Sequence, residues 1–122
     1  MRIAIIEDES LVAMAIQGLL EDNGHEVVAM ATRGATASEL ILQQQPDIVL
    51  LDINLKGEGL DGIDVCRLTT EMTKAKVIIV TAYGDEETVQ RAMEAGASEV
   101  LTKPITDHNL IAVIEAVAER LD

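Results

Sequence analysis

Four sets of polar residues, far apart in the chain, are of the types that phosphoryl chemistry uses. They are Glu7–Asp8–Glu9, Asp52 with Asn54 two positions on, Thr81, and Lys103 followed by Pro104. Packed carboxylates repel one another, and an ion of charge +2 relieves them. Oxygen donors that include only one or two carboxylates suit Mg²⁺, with Mn²⁺ as a substitute. Phosphoryl transfer needs an in-line nucleophile and positive charge around the equatorial oxygens. Asp52 can be the nucleophile, Lys103 and a divalent ion the charge, and the Thr81 hydroxyl a hydrogen-bond donor.

The elements that would position these sets follow from the apolar pattern. Ile3–Ile6, Val27–Ala31, Ile48–Leu51, Val77–Val80 and Val100–Leu101 read as short strands. The acids follow the first and third strands, Thr81 the fourth, and Lys103 the fifth. Ser10 is placed as the cap of a first helix that buries Leu11, Met14, Ala15, Gly18 and Leu19 on one face and ends at Asn23–Gly24. A second helix runs from Ala35 to Gln45, before Pro46. Its Thr36 and Glu39 form a capping box or lie inside the first turn. Asp61 caps a third helix reaching about Thr73. Asp85 to Ala95 is a fourth, acidic in its first turn and followed by Gly96. Thr106 caps a fifth ending near Leu121. Five βα units with apolar strands predict a doubly wound α/β fold, a parallel sheet covered by helices on both faces. Such sheets bind ligands beyond the carboxyl ends of their strands, at a topological switch point.

The length fits one domain over residues 1–122. Tyr83 is the only aromatic residue, so Ile, Leu, Val, Ala and Met must build the core, and the five Met residues are assigned to packing. A net charge of −13 disfavours nucleic acid and anionic membranes as partners. Cys66 is single, so no internal disulfide forms. It lies three residues after Ile63 and is placed in the core. His25 and His108 lack metal-ligand spacing and are placed in solvent. Gly34, Gly57, Gly59 and Gly62 form no dinucleotide or P-loop fingerprint. No run reaches transmembrane length and no signal sequence is evident, so a cytoplasmic protein is expected.

The stretches IAIIEDE at 3–9, PDIVLLDINL at 46–55, VIIVTAYGD at 77–85 and EAGASEVLTKP at 94–104 resemble the receiver domain of two-component response regulators over essentially the whole chain. The resemblance implies strand order 2-1-3-4-5, a flavodoxin-like order that general fold rules also associate with a chemotaxis relative. It implies that Asp52 is the phosphoacceptor, that Asp8 binds Mg²⁺ with Glu7 beside it, and that Asn54 offers its backbone carbonyl to the metal. Thr81 matches the switch hydroxyl, Lys103 the phosphoryl-binding lysine, and Pro104 a proline that follows in a cis peptide. Asn54 and Tyr83 match positions that tune phosphate lifetime.

The chain departs from the family pattern at several positions. Glu7 replaces the usual Asp, Val100 the usual aromatic partner of the switch threonine, and Ile105 a common Phe. The loop after Asp52 is about two residues longer and carries Lys56–Gly57–Glu58–Gly59 in place of a proline, which predicts ordering only with metal or phosphate bound. With Val100, Thr81 is expected to move and the fourth helix to shift without an aromatic gate.

The function implied is a phosphorylation-dependent switch. A histidine kinase or histidine phosphotransfer protein donates to Asp52, and small phosphodonors also serve. The face of the fourth helix, fifth strand and fifth helix then regulates an effector protein or fused output domain. That face includes Glu86, Gln90, Arg91, Glu94, Glu99 and Asp107. No turnover on a separate substrate is expected. Two other readings stand beside this one: a Mg²⁺-dependent phosphohydrolase with an Asp nucleophile, and a docking module that works unphosphorylated.

Overall fold

Short β-branched runs alternate with amphipathic stretches, and the chain folds accordingly into strands and helices in strict alternation. A computed structural model describes residues 1–55, 61–82 and 84–121. Its elements are β1 (Arg2–Ile6), α1 (Ser10–Asp22), β2 (Glu26–Ala31), α2 (Gly34–Gln44), β3 (Ile48–Asp52), α3 (Gly62–Met72), β4 (Lys76–Thr81), α4 (Glu86–Glu94), β5 (Glu99–Thr102) and α5 (Asp107–Ala118). All strand pairs are parallel, in the order β2-β1-β3-β4-β5. The first crossover runs from β1 to β2, and the next returns past β1 to β3. The switch point therefore lies between β1 and β3.

The core has two halves, divided by the period-two alternation of the strands. Ala4, Ile6, Val49, Leu51, Val77 and Ile79 face α2, α3 and α4, where Ala37, Ile41, Val65, Cys66 and Ala92 meet them. Ile3, Ile5, Ile48, Leu50, Ile78 and Val80 face α1 and α5, where Ala13, Leu20, Leu110, Ile114 and Val117 meet them. At roughly 1.5–3 kcal/mol for each large apolar side chain buried, these two layers supply the main stabilisation of the sheet.

Three helices begin on side-chain caps, α3 and α5 at the predicted residues and α4 at Asp85, which the sequence pattern places as the first residue of that helix. Asp61 and Asp64 form a reciprocal capping box on α3, the Asp85 carboxylate accepts from Thr88 N–H, and the Thr106 hydroxyl accepts from Asn109 N–H. Gly24 and Gly96 take positive φ, +84° and +103°, just past α1 and α4. Cys66 is buried, and burial pushes its thiol up to about 11.

Other expectations are corrected. The face of α1 assigned to the core mostly looks outward: Leu11 is 82% and Met14 59% exposed, while Ala13 and Leu20 are buried and Ile16 and Leu19 half-buried. The helix is apolar around most of its circumference, so helical spacing admits two stripes. The path of the chain out of β1 selects the other one. Glu9, not Ser10, is the N-cap of α1, and it makes no side-chain capping bond. Thr36 lies in the first turn of α2, whose N-cap is Arg33. The last helix ends at Ala118. Met1, Met14, Met72 and Met93 are exposed, because the aliphatic strands and small helix residues already fill the interior. His25 is half-buried rather than in solvent. Its Nε2 has no partner among the described residues, and burial lowers the imidazole below its ordinary value.

Candidate phosphoacceptor site

The carboxyl ends of β1 and β3 flank the switch point and deliver acids to it. Glu7 follows β1, and its N–H still pairs with Ala31 O at 3.0 Å, which extends the strand direction by one residue. Asp52 is the last residue of β3, in register with Val80 of β4. Both carboxylates are nearly sealed from solvent, at 4% and 6% exposure, although burying a charge is costly unless it is partnered. Asp8, beside Glu7, is half-buried. One carboxylate oxygen from each of Glu7, Asp8 and Asp52 lies within 4.8 Å of the others.

Lys103 offsets this charge. The cis Lys103–Pro104 peptide follows β5, and Lys103 N–H donates to Thr81 O at 2.7 Å, tying the end of β5 to the end of β4. Its ammonium donates to Asp52 Oδ2 at 2.9 Å and to Glu7 Oε2 at 3.4 Å. Burial alone would lower this lysine. The hydrogen bond and charge of Asp52, with those of Glu7, outweigh it and hold the ammonium above its ordinary value. The other oxygen of Asp52, Oδ1, accepts Asn54 N–H at 2.9 Å.

Glu7 behaves differently. Burial, a hydrogen bond shared with Asp8 and the charge of Asp52 raise it to about 7, against the opposing pull of Lys103 and the Glu9 amide. Near neutrality Glu7 is therefore poised between its protonated and ionised forms. A divalent cation, which relieves the same repulsion, would displace the proton. Three clustered carboxylates are hard oxygen donors, so the residues fit Mg²⁺ or Mn²⁺.

Thr81 ends β4, fully buried, one residue beyond the partner of Asp52. All six residues expected to form the site thus lie at the carboxyl edge of three neighbouring strands and the following β5. The Lys103–Glu7 pair was not anticipated from sequence; a longer acid beside a strand-end lysine was its only signal. Tyr83 and Lys56–Gly57–Glu58–Gly59 lie outside the described residues. Val100 is half-buried against the α2–α4 side of the core.

A cleft of about 720 Å³ opens beside these groups. Glu7, Asp52 and Lys103 line one end, and the apolar side chains of Leu11, Ala15 and Ile105 line the rest. It runs from the acidic cluster past Leu11 and between α1 and α5, where Ile16, Leu50 and Leu110 also line it.

Comparison with known proteins agrees with this geometry. The family model described as the response regulator receiver domain matches residues 3–115. The transcriptional regulatory protein PdtaR of Mycobacterium tuberculosis is 34% identical over 119 residues, covering 98% of this chain and 57% of that protein. AfsQ1 of Streptomyces coelicolor is 34% identical over 116 residues, covering 95% and 50%. The chain therefore spans about half the length of the relatives it matches. Among solved structures, the receiver domain of a modulated diguanylate cyclase from Desulfovibrio desulfuricans superposes with a TM-score of 0.88 at 30% identity, covering 98% and 94%. The BeF3-activated receiver domain of Klebsiella pneumoniae RstA gives 0.86 at 29%, covering 95% and 97%. With the parallel order, the acidic cluster and the family match in agreement, the chain belongs to the response regulator receiver domains of two-component systems.

Proposed function

We propose that this receiver is switched by phosphorylation of Asp52. The observation that carries the reading is the state of that carboxylate. It is buried at a strand end, hydrogen-bonded on one oxygen by Lys103 at 2.9 Å and grouped with two further acids. In the proposed step an Asp52 oxygen attacks the donor phosphorus. The bond from phosphorus to the donor nitrogen breaks, and its electron pair leaves on that nitrogen, which takes up a proton. Lys103 exchanges its bond to Asp52 for one to a phosphoryl oxygen, and the Thr81 hydroxyl donates to another. Glu7, Asp8, Asp52 and the Asn54 carbonyl would hold Mg²⁺, which supplies charge that neutralises the incoming oxygens.

The donor is a histidine kinase or histidine phosphotransfer protein. The apolar cleft beside Asp52, lined in part by exposed Leu11, supports a protein donor at this mouth. Residues 1–122 act as one receiver unit. Its output is the α4–β5–α5 face, where Glu86, Gln90, Arg91, Glu94 and Asp107 are exposed and Glu99 half-exposed. The partner there is a separate effector or a fused output domain. Among the described residues no helix is long and apolar enough to cross a membrane.

Incubation with a small phosphodonor and Mg²⁺, followed by mass spectrometry, tests the assignment. One phosphoryl group is expected on wild type and none on Asp52→Asn. Multiple turnover of a phosphate ester would favour a hydrolase instead. Absence of any adduct would leave a module that works unphosphorylated.

A further inference from the structure

Gly84 lies where the connection from β4 to α4 crosses the end of β5. A Cβ built on it would stand 2.5 Å from Thr102 Oγ1, 3.0 Å from Cγ2 and 3.3 Å from Cβ. Its φ is not in the left-handed region, so the missing side chain serves this close approach and not a turn. Thr102 is the register partner of Thr81, and the next residue, Lys103, bonds Thr81 O. The strand end that carries the switch hydroxyl, the connection beyond it and the strand end that carries the lysine are thus packed as one unit.

Three peptide units separate Thr81 from Gly84, and α4 starts almost at once, with Asp85 as its N-cap. Along the chain, a backbone shift at Thr81 reaches α4 through Gly84, which lies against Thr102. In this chain Val100 gives no aromatic ring to turn between β5 and α4. We infer that the Gly84–Thr102 contact takes that place: it is a steric seat that holds the connection in its resting position and is left when Thr81 is drawn toward a phosphorylated Asp52. The inference rests on the phosphoacceptor reading above.

A methyl group at position 84 would penalise the seated position and not the displaced one. Thr102 cannot fully relieve the clash by turning. It is β-branched, so the next staggered rotamer trades one branch for hydrogen and leaves the other at the contact. Destabilising the resting form raises the fraction of molecules ready to bind a phosphoryl mimic.

Amide NMR of wild type, Gly84→Ala, and Gly84→Ala with Thr102→Ala, each titrated with beryllofluoride in Mg²⁺, tests this. In Gly84→Ala, free of beryllofluoride, residues 86–94 are expected to move toward the wild-type bound positions. Its beryllofluoride midpoint should fall about fivefold, the lower end of ordinary coupling between sites. Adding Thr102→Ala removes Oγ1 and Cγ2, and should restore both the resting positions and the midpoint. A Gly84→Ala protein with wild-type positions, or with an unchanged or higher midpoint, overturns the seat. So does a double variant that stays shifted. A wild type that shows no beryllofluoride response around Asp52 overturns the phosphoacceptor reading itself, whereas a responding wild type with indistinguishable variants overturns the seat alone.

Discussion

Lys103 donates to Asp52 at 2.9 Å while standing 3.4 Å from Glu7, so a single ammonium is shared by two buried carboxylates, one just past β1 and one at the end of β3. Any divalent cation entering the cluster competes with it for the same oxygens. Replacing the lysine by Met therefore has opposite effects on two measurements. Mg²⁺ binding to Lys103→Met should tighten, by roughly three- to tenfold for an interaction at partly exposed range. Phosphorylation by a small donor should slow by roughly two orders of magnitude, because the charge that meets the phosphoryl oxygens is gone. Titration calorimetry and a phosphorylation time course read the two. Equal loss of both would mean that the lysine only supports the fold.

The raised carboxyl of Glu7 fixes the sign of a pH effect in the metal-free protein. Its ordinary value is 4.5 and its folded value about 7, so between these the folded state holds a proton that the unfolded state has lost. Stability from this group is fully present below pH 4.5 and is lost as pH rises through 7. Urea denaturation in chelator should show wild type weakening relative to Glu7→Gln from pH 5 to pH 8. The gap should be on the order of 2 kcal/mol at the upper end, since Gln keeps the neutral form at every pH. A gap independent of pH would show that Glu7 is ionised throughout.

What could be read from the sequence divides along physical lines. Strands such as Ile48–Leu51 were legible because an unbroken apolar run bounded by Pro46 and Asp52 has few other uses. Caps at Asp61 and Thr106 were legible because each places an oxygen three residues before an orphan amide, whereas Asp85 reads as the first helical residue because acids also favour the first turn. The site was legible because its residues follow strands, and the strand ends converge in any parallel sheet. The face of α1 was not, since a helix that is apolar on two sides carries no internal signal for which side meets the sheet. The Lys103–Glu7 pair and the Gly84–Thr102 contact join residues from different strand ends at side-chain range, which spacing alone does not resolve.

Two glycines separate backbone necessity from mere tolerance. A Cβ on Gly62 would lie 2.5 Å from Ile53 Cα, 2.6 Å from Ile53 O and 2.7 Å from Asp52 O. Gly62 N–H also donates to Ile53 O at 3.1 Å, which clamps the start of α3 onto the end of β3. Backbone cannot swing aside as a side chain does, so Gly62→Ala should cost roughly 2–4 kcal/mol in urea denaturation despite the better helix propensity of Ala. Gly18, exposed inside α1, has nothing within 4 Å of its added Cβ. Gly18→Ala should stabilise by roughly 0.5–1 kcal/mol. Similar effects at the two positions would contradict the close packing at Gly62.

The outward apolar stripe of α1 gives a test of how the donor approaches. Leu11 is 82% exposed and Met14 59%, and Leu11 lines the cleft that ends at Asp52 and Lys103. Neither side chain contributes much to the core, and Gln is a helix former comparable to both. Leu11→Gln with Met14→Gln should therefore change stability by less than about 0.5 kcal/mol. A small phosphodonor reaches Asp52 without covering α1, so its rate should stay at the wild-type level. A protein donor must lay a surface over the mouth, and losing two central apolar contacts should slow its transfer about tenfold or more. Competing the two donors against the same variant makes the comparison internal. If both rates fall together, the substitutions have disturbed the site and not the approach to it. If neither falls, the donor comes in over the other rim, across the connection that carries Gly84.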